Sequence, residues 1–395
     1  MNPRIERLYQ IAKAPTRTIL GLMSGTSLDG LDLALVRFTG FGLDTSYEIL
    51  HYDTRPYPAD FKESIRSVFA KENIHFPTLS TLNAQIGRLH ASLILEVLAS
   101  WGVKPGEVDA IASHGQTVMH RPDRTGQLPH STLQIGDGDH IAVATGIITV
   151  SDFRQKHIAA GGEGAPLSLY GDYLLCAHET ENRILLNIGG IANFTILNAN
   201  SSLEQVFSSD TGPGNTLMDA YTRKYFEGLA YDKDGIIAKS GKINEPLLQS
   251  LKSDSFFSVA FPKTIGPELF NLDYIIQAQM ALGTMLSHED VLATLNMFTA
   301  QTISEAIKKV VGDQYIYTMY ISGGGMHNHL LMEHLKQLLP SITIKSSIEI
   351  GILPDAKEAI LFALLGNEAV AGTSLLAGGN ATKVATTMGK ISFPN

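Results

Sequence analysis

Two acids in this chain stand among glycines in a way that suits phosphate chemistry. Asp29 lies in Gly-Thr-Ser-Leu-Asp-Gly, residues 25–30, between two apolar runs. Asp210 heads Asp-Thr-Gly-Pro-Gly-Asn, residues 210–215. Glycine lets a backbone approach a phosphate closely, and the N–H groups so exposed cradle it. Thr26, Ser27 and Asp29 are polar groups that a hairpin does not need in order to turn. Asp210 stands where a strand gives way to a loop, as Asp29 stands at a bend. Both have plainer readings as acids that only shape their own turns.

Two further glycine turns join this set: Gly189-Gly190 inside ILLNIGGIANFTIL (184–197) and Gly323-Gly324-Gly325 after YIYTMYIS. Each alone reads as a hairpin or loop. Together they fall at strand ends and strand turns, where open α/β folds bind ligands. The commoner nucleotide motifs are missing. Gly241-Lys242 and Gly389-Lys390 are each followed by Ile, which rules out a P-loop, and no Gly-x-Gly-x-x-Gly follows a strand and opens a helix. His327, His329 and His334 lack a cysteine or acid to complete a metal site and suit a helix start. His114 and His120 make an equally poor metal pair.

The elements that must carry these groups alternate. Residues 18–38 read as strand, turn, strand, and 184–197 repeat that layout about 165 residues later. Such spacing predicts two related halves rather than a short repeat. Residues 81–102 have the apolar spacing of a helix ending near Gly102, and VDAIASHGQT (108–117) reads as a short buried strand entering a polar turn. EQVFSSD (204–210) is a strand ending at Asp210, TGPGN is a loop, and 216–226 is a helix with Thr216 and Asp219 in capping-box spacing. Strand 315–322, a glycine loop and helix 329–339 follow, so the fold class is α/β with covered sheets.

Composition narrows the function. At 395 residues, 44% hydrophobic and 17% charged, the chain has room for two globular domains. A net charge of −9 argues against nucleic acid or an anionic membrane as partner, since both want a basic surface. The single cysteine, Cys176, lies in an apolar run, which predicts a packing residue and a reducing compartment. The first eighteen residues lack the apolar core of a secretory signal, and 184–203 are too broken by Asn and Gly to span a bilayer. The expectation is a soluble, cytoplasmic protein.

The segments GLMSGTSLDGLD, SHGQTVMHRP, LQIGDG, DFR with AAGGEGAPL, LNIGGIANF, DTGPGNTLMDA and ISGGGMHN, in that order, closely resemble the anhydro-N-acetylmuramic acid kinases. These belong to the superfamily of actin, hexokinase and the heat-shock chaperone ATPases. The likeness runs from about Ile19 to the C-terminal region. It implies two ribonuclease-H-like domains facing each other across a nucleotide cleft. These would be 18–182 and 183–365, with 366–395 packing back on the first.

On the resemblance, Gly25, Thr26, Ser27, Leu28, Asp29, Gly30, Leu31 and Asp32 form one phosphate hairpin. Gly189, Gly190 and Asn193 belong to the second, and Gly323, Gly324 and Gly325 form an adenosine-contacting turn. The implied cofactors are ATP and Mg²⁺, with Asp29 holding the metal through water. Asp210 becomes the base for a water that attacks the anomeric carbon of a 1,6-anhydro sugar, whose departing 6-oxygen takes the γ-phosphoryl group. His114, Gln116, Asp152, Arg154 and Glu358 fall at positions expected to bind sugar, Arg154 through the lactyl carboxylate of a muramic acid. Plainer roles remain open: a turn histidine at 114, an Arg154–Asp152 pair, and a solvated helix face at 358. The partners implied are a small anhydro amino sugar and ATP, with room for a homodimer.

His157 and Glu163 depart from the Asp and Gln usual at these positions. This bears on which anhydro sugar is used, and a kinase for levoglucosan is the near alternative. A non-enzymatic member, either a sugar-responsive regulator or an actin-like assembly protein, is the distant one. Eighteen N-terminal residues are too few for a helix-turn-helix domain, and an inactive member would be expected to have lost Asp210 or the first hairpin.

Overall fold

The computed structural model describes residues 1–25, 28–123, 127–265, 269–283, 285–312, 316–354, 356–372 and 386–395. The chain divides into two compact units, Met1–Leu175 with Asp355–Asn395, and Cys176–Pro354. The sequence-based boundaries, 182/183 and 365/366, lie seven and eleven residues later than these. Helix Lys357–Ala371 packs on strands of the first unit along its length, so Glu358 belongs there and not to the second half.

In the first unit β1 (Thr16–Ser24), β2 (Gly30–Thr39) and β3 (Ser46–Pro56) form an antiparallel meander. β4 (Ala110–Arg121) adds parallel to β1, β5 (Ser131–Ile135) folds back on β4, and β6 (Thr149–Ser151) adds parallel to β4. Strand Lys390–Ser392 closes the β6 edge. Leu20, Leu22, Leu33 and Leu35 turn one face of the hairpin toward Ile94, Val97 and Leu98 of helix Phe76–Trp101. Each such side chain is fully buried, at about 1.5–3 kcal/mol apiece. Gly102 ends the helix in the left-handed region (φ 70°), as its position predicts.

The second unit repeats the plan. β7 (Asn182–Ile188), β8 (Ile191–Leu197) and β9 (Phe207–Pro213) are antiparallel, while β10 (Tyr317–Ser322) and β11 (Thr343–Ser346) add parallel beyond β7. Ile184, Leu186, Phe194, Ile196, Met319 and Ile321 pack against helices His288–Val311 and His329–Leu338. The order β3-β2-β1-β4-β6 therefore matches β9-β8-β7-β10-β11 in both sequence and strand direction. The two similar hairpins do head two topologically equivalent ribonuclease-H-like halves.

Three local readings need correction. His114 to Thr117 are not a turn: β4 runs on to Arg121, and Gly115 (φ 72°) absorbs a register shift within it. Asp210 is not at the end of its strand, because past a register shift at Thr211 the residues Gly212 and Pro213 continue pairing with β8. Thr216 does not cap the following helix. Asn215 precedes that helix in a helical conformation and forms no side-chain cap, so the Thr216–Asp219 box does not exist. Among the described residues no helix is long and apolar enough to cross a membrane, and Cys176 is fully buried.

Candidate active site

In the second unit the three glycine motifs are knitted together by the backbone. Gly189 O accepts from Asn215 N–H (2.8 Å), and Gly190 O accepts from Gly214 N–H (2.8 Å) and Thr216 N–H (3.2 Å). Asn215 Nδ2 donates to Ile188 O at 3.3 Å. The β7–β8 turn is thus bound to the start of helix Thr216–Tyr225. Gly323, at φ 85°, lies so close that a Cβ would stand 2.7 Å from both Asn187 Oδ1 and Ile188 O. Only glycine fits there, which fixes the third turn against the second hairpin. The single turn Gly324–His327 follows.

These elements border a cavity of about 470 Å³ lined by Asn215, Asp219, Lys233, Gly324, His327 and Asn328. Amides, carboxylate and glycine backbone around a partly apolar hollow suit a nucleoside. Asn328 is held from behind: Asn296 Nδ2 donates to its Oδ1 (3.1 Å), while Asn296 Oδ1 bonds His334 Nδ1 (3.0 Å).

Asp219, noticed in the sequence only as a cap, lines this cavity. Burial raises its pKa from 3.8 to about 6, and Arg223 acts in the opposite sense. A raised carboxyl pKa favours the protonated folded protein. Its stability is therefore present below about pH 4 and lost as pH climbs through about 6. Asp219→Asn should melt higher than the parent at pH 7.5 and equally at pH 4. A difference in melting temperature that does not change with pH would contradict this assignment.

Asp210 pairs with Asn193 across β9 and β8, so both side chains share one face near the second hairpin. Its carboxyl is partly buried. Ile265 N–H donates to Oδ2 at 2.8 Å, and Oδ1 has no hydrogen bond among the described residues. Burial raises its pKa and the Ile265 N–H opposes that shift. Among the described residues this carboxyl is fixed by one oxygen.

In the first unit Thr26 and Ser27 fall outside the described residues. Leu28 takes φ 60° and drops its side chain among Ile65, Val68 and Ile86, while Leu31 is buried in the sheet core. These two leucines anchor the hairpin and have only backbone to offer a phosphate. Gly30 is required by packing, since a Cβ would meet Arg55 O at 2.3 Å. Asp29 is exposed at the turn. Asp32 accepts from Thr54 Oγ1 (2.6 Å) and Tyr52 OH (3.3 Å).

Gln116 is a strut. It is fully buried, accepts from Ser24 Oγ at 2.5 Å and donates to Gly25 O (3.4 Å) and Thr117 O (3.2 Å). Tyr57 OH donates to Ser24 Oγ (2.8 Å) and meets His90 Nε2 (2.9 Å), completing a buried chain behind the hairpin that local sequence does not signal.

His114 is buried and neutral, its pKa lowered to about 3 by burial and by Arg154. Its Nε2 accepts from Arg154 Nε at 3.0 Å, and Arg154 NH1 donates to Gly164 O at 2.7 Å. Arg154 therefore does not pair with Asp152. Asp152 sits in the left-handed region and pairs with Lys390. Glu358 is open to solvent at the start of its helix but lies in crowded surroundings. Burial and the nearby Asp32 raise its pKa, and Arg154 opposes them.

His157 is fully buried. Gly164 N–H donates to its Nδ1 (2.9 Å), which leaves Nε2–H facing Tyr170 OH (3.1 Å). The histidine holds the loop whose Gly164 carbonyl in turn holds Arg154. It contributes a neutral support rather than a new charge.

Comparison with known proteins identifies the family. Residues 17–393 match the family model described as anhydro-N-acetylmuramic acid kinase. An anhydro-N-acetylmuramic acid kinase of Pseudoalteromonas atlantica is 52% identical over 401 residues, covering all of both chains. One from Caldanaerobacter subterraneus subsp. tengcongensis is 38% identical, covering 98% of this chain and 100% of that one. Among solved structures, the activator of the 2-hydroxyisocaproyl-CoA dehydratase from Clostridium difficile is 12% identical at a TM-score of 0.41. That match covers 90% of this chain and 96% of that one, at a score too low to bear on the assignment. With the family model matched over residues 17–393 and 52% identity to a relative across the whole of both chains, the chain belongs to the anhydro-N-acetylmuramic acid kinase family.

Proposed function

We infer that this protein is an ATP-dependent kinase that opens 1,6-anhydro-N-acetylmuramic acid with water and phosphorylates its freed 6-oxygen, giving N-acetylmuramate 6-phosphate. Asp210 carries the reading. It is a partly buried acid held by a backbone N–H, with Asn193 of the second hairpin beside it. Asp210 takes a proton from water as the water oxygen bonds to the anomeric carbon. The bond from that carbon to the 6-oxygen breaks, and the 6-oxygen takes the γ-phosphoryl group while ADP leaves.

The donor set fits the nucleotide. The cavity beside Gly324 and Asp219 has polar groups on apolar walls for a nucleoside, and the β7–β8 turn offers backbone for phosphates. Asp29, exposed and acidic at the first hairpin, suits a magnesium ion that keeps its waters. When bound, Mg²⁺ supplies positive charge to the phosphate oxygens. Arg154, steadied by His114 and Gly164 O, is assigned to the lactyl carboxylate. The buried neutral His157 leaves Arg154 supported, which favours the muramic substrate over levoglucosan. On this reading the enzyme works in the cytoplasm on recycled cell-wall fragments.

The test is ADP release with Mg-ATP and, in turn, 1,6-anhydro-N-acetylmuramic acid, 1,6-anhydro-N-acetylglucosamine and levoglucosan. The muramic sugar should turn over at least about tenfold faster, measured by kcat/KM, than either sugar lacking the lactyl group. Preference for levoglucosan would overturn the assignment.

A further inference from the structure

Lys263 is an ammonium in an apolar place. It is 7% exposed, and its Nζ lies 4.1 Å from the ring centre of Phe256, 4.8 Å from that of Phe261 and 5.5 Å from that of Phe257. Its hydrogen bond goes to Phe256 O, at 2.9 Å. No acid pairs with it among the described residues, and its charged neighbour is another cation, Lys309. A leucine or methionine would fill such a pocket without the cost of burying charge. Cation–π attraction and the carbonyl offset that cost only in this geometry.

The backbone at Lys263 shows what the geometry secures. Ser209 Oγ donates to Lys263 O (3.1 Å), and Lys263 N–H donates to Ser209 Oγ (3.0 Å). Asp210 N–H donates to the same Lys263 carbonyl (2.9 Å). Two residues on, Ile265 N–H reaches Asp210 Oδ2. The segment 261–265 is a strap along β9, fastened by one caged lysine.

We propose that Lys263 is a positioning residue for the Asp210 base: its caged ammonium fixes the strap, and the strap fixes the Asp210 carboxyl through Ile265 N–H. This rests on Asp210 being the base. Among the described residues, the elements packed against β9 are the strap with Lys263, β8 with the neutral Asn193, and helix His288–Val311, whose Glu305 pairs with Lys252 and whose Lys309 lies over Phe261.

The experiment is a pH profile of kcat/KM for 1,6-anhydro-N-acetylmuramic acid at saturating Mg-ATP, run on the full chain and on Lys263→Met, Lys263→Arg, Ser209→Ala and Asp210→Asn. With the ammonium gone, the Ile265 donor drifts from Oδ2 and the base becomes harder to ionise. The acidic limb of Lys263→Met should move up by about 1–2 pH units, the scale of one hydrogen bond to a carboxylate. Lys263→Arg, which keeps a cation and a donor, should restore the parent limb. Ser209→Ala unfastens the strap by a smaller change, should move the limb in the same direction, and carries the test if Lys263→Met does not fold. Unmoved limbs in folded Lys263→Met and Ser209→Ala would overturn the proposal. Asp210→Asn separates the two ideas. Inactive Asp210→Asn beside unmoved limbs sinks the role of Lys263 alone, whereas active Asp210→Asn sinks the base itself.

Discussion

Asp210→Asn should lower kcat by at least about a hundredfold, the usual scale for losing a general base. Asparagine keeps the shape, and its amide oxygen still accepts from Ile265 N–H, so the strap stays in place. It cannot take a proton. ATP affinity should hardly change, because the β7–β8 turn and the cavity at Gly324 are untouched. Stability gives a second, independent expectation. Burial raises the Asp210 pKa in the folded state. The ionised carboxylate therefore weakens the fold as pH rises past that value, and the asparagine form should melt no lower than the parent at pH 7.5. An acid that merely shapes its strand would give the opposite pattern: a lower melting temperature with turnover retained per folded molecule. Measuring kcat, ATP affinity and melting temperature on one preparation distinguishes the two.

Arg154→Ala should cost about 2 kcal/mol in kcat/KM for the muramic sugar, or roughly thirtyfold. The guanidinium already gives Nε to His114 and NH1 to Gly164 O, so it is oriented before any ligand arrives. A preset charged donor loses less freedom on binding a carboxylate than a mobile one. An anhydro sugar without the lactyl group should lose much less than the muramic sugar. Equal losses on both would show that Arg154 serves the fold around His114 and does not recognise the carboxylate.

Much of the frame was legible because it is local. Apolar runs on either side of GTSLDG and NIGGIAN gave both hairpins, and a glycine after an amphipathic stretch gave the end of helix Phe76–Trp101. The matched pair of hairpins pointed to two equivalent halves, and the strand orders agree. What stayed hidden depends on distant partners. His114 to Thr117 look like a turn because Gly115 and its polar neighbours favour one. Pairing with both β1 and β5 holds them in a strand. Gln116 reads as a ligand contact until Ser24, some ninety residues earlier, is found bonded to its amide. Lys263 gave no signal at all, since three phenylalanines converge on it only in the folded chain. The supporting role of His157 stayed hidden too, because it depends on Gly164 N–H reaching its Nδ1 and on Gly164 O holding Arg154.

In the proposed reaction one acid, Asp210, directs hydrolysis of the 1,6-bridge and transfer of phosphate to the oxygen so released. The measurement that meets it most directly uses the muramic substrate carrying ¹⁸O in that bridge, Mg-ATP, and ³¹P NMR of the product. The product should be a reducing sugar 6-phosphate whose ester oxygen retains the label, formed by the parent and not by Asp210→Asn. A phosphorylated product with its anhydro ring intact, or an ester oxygen without label, would contradict it.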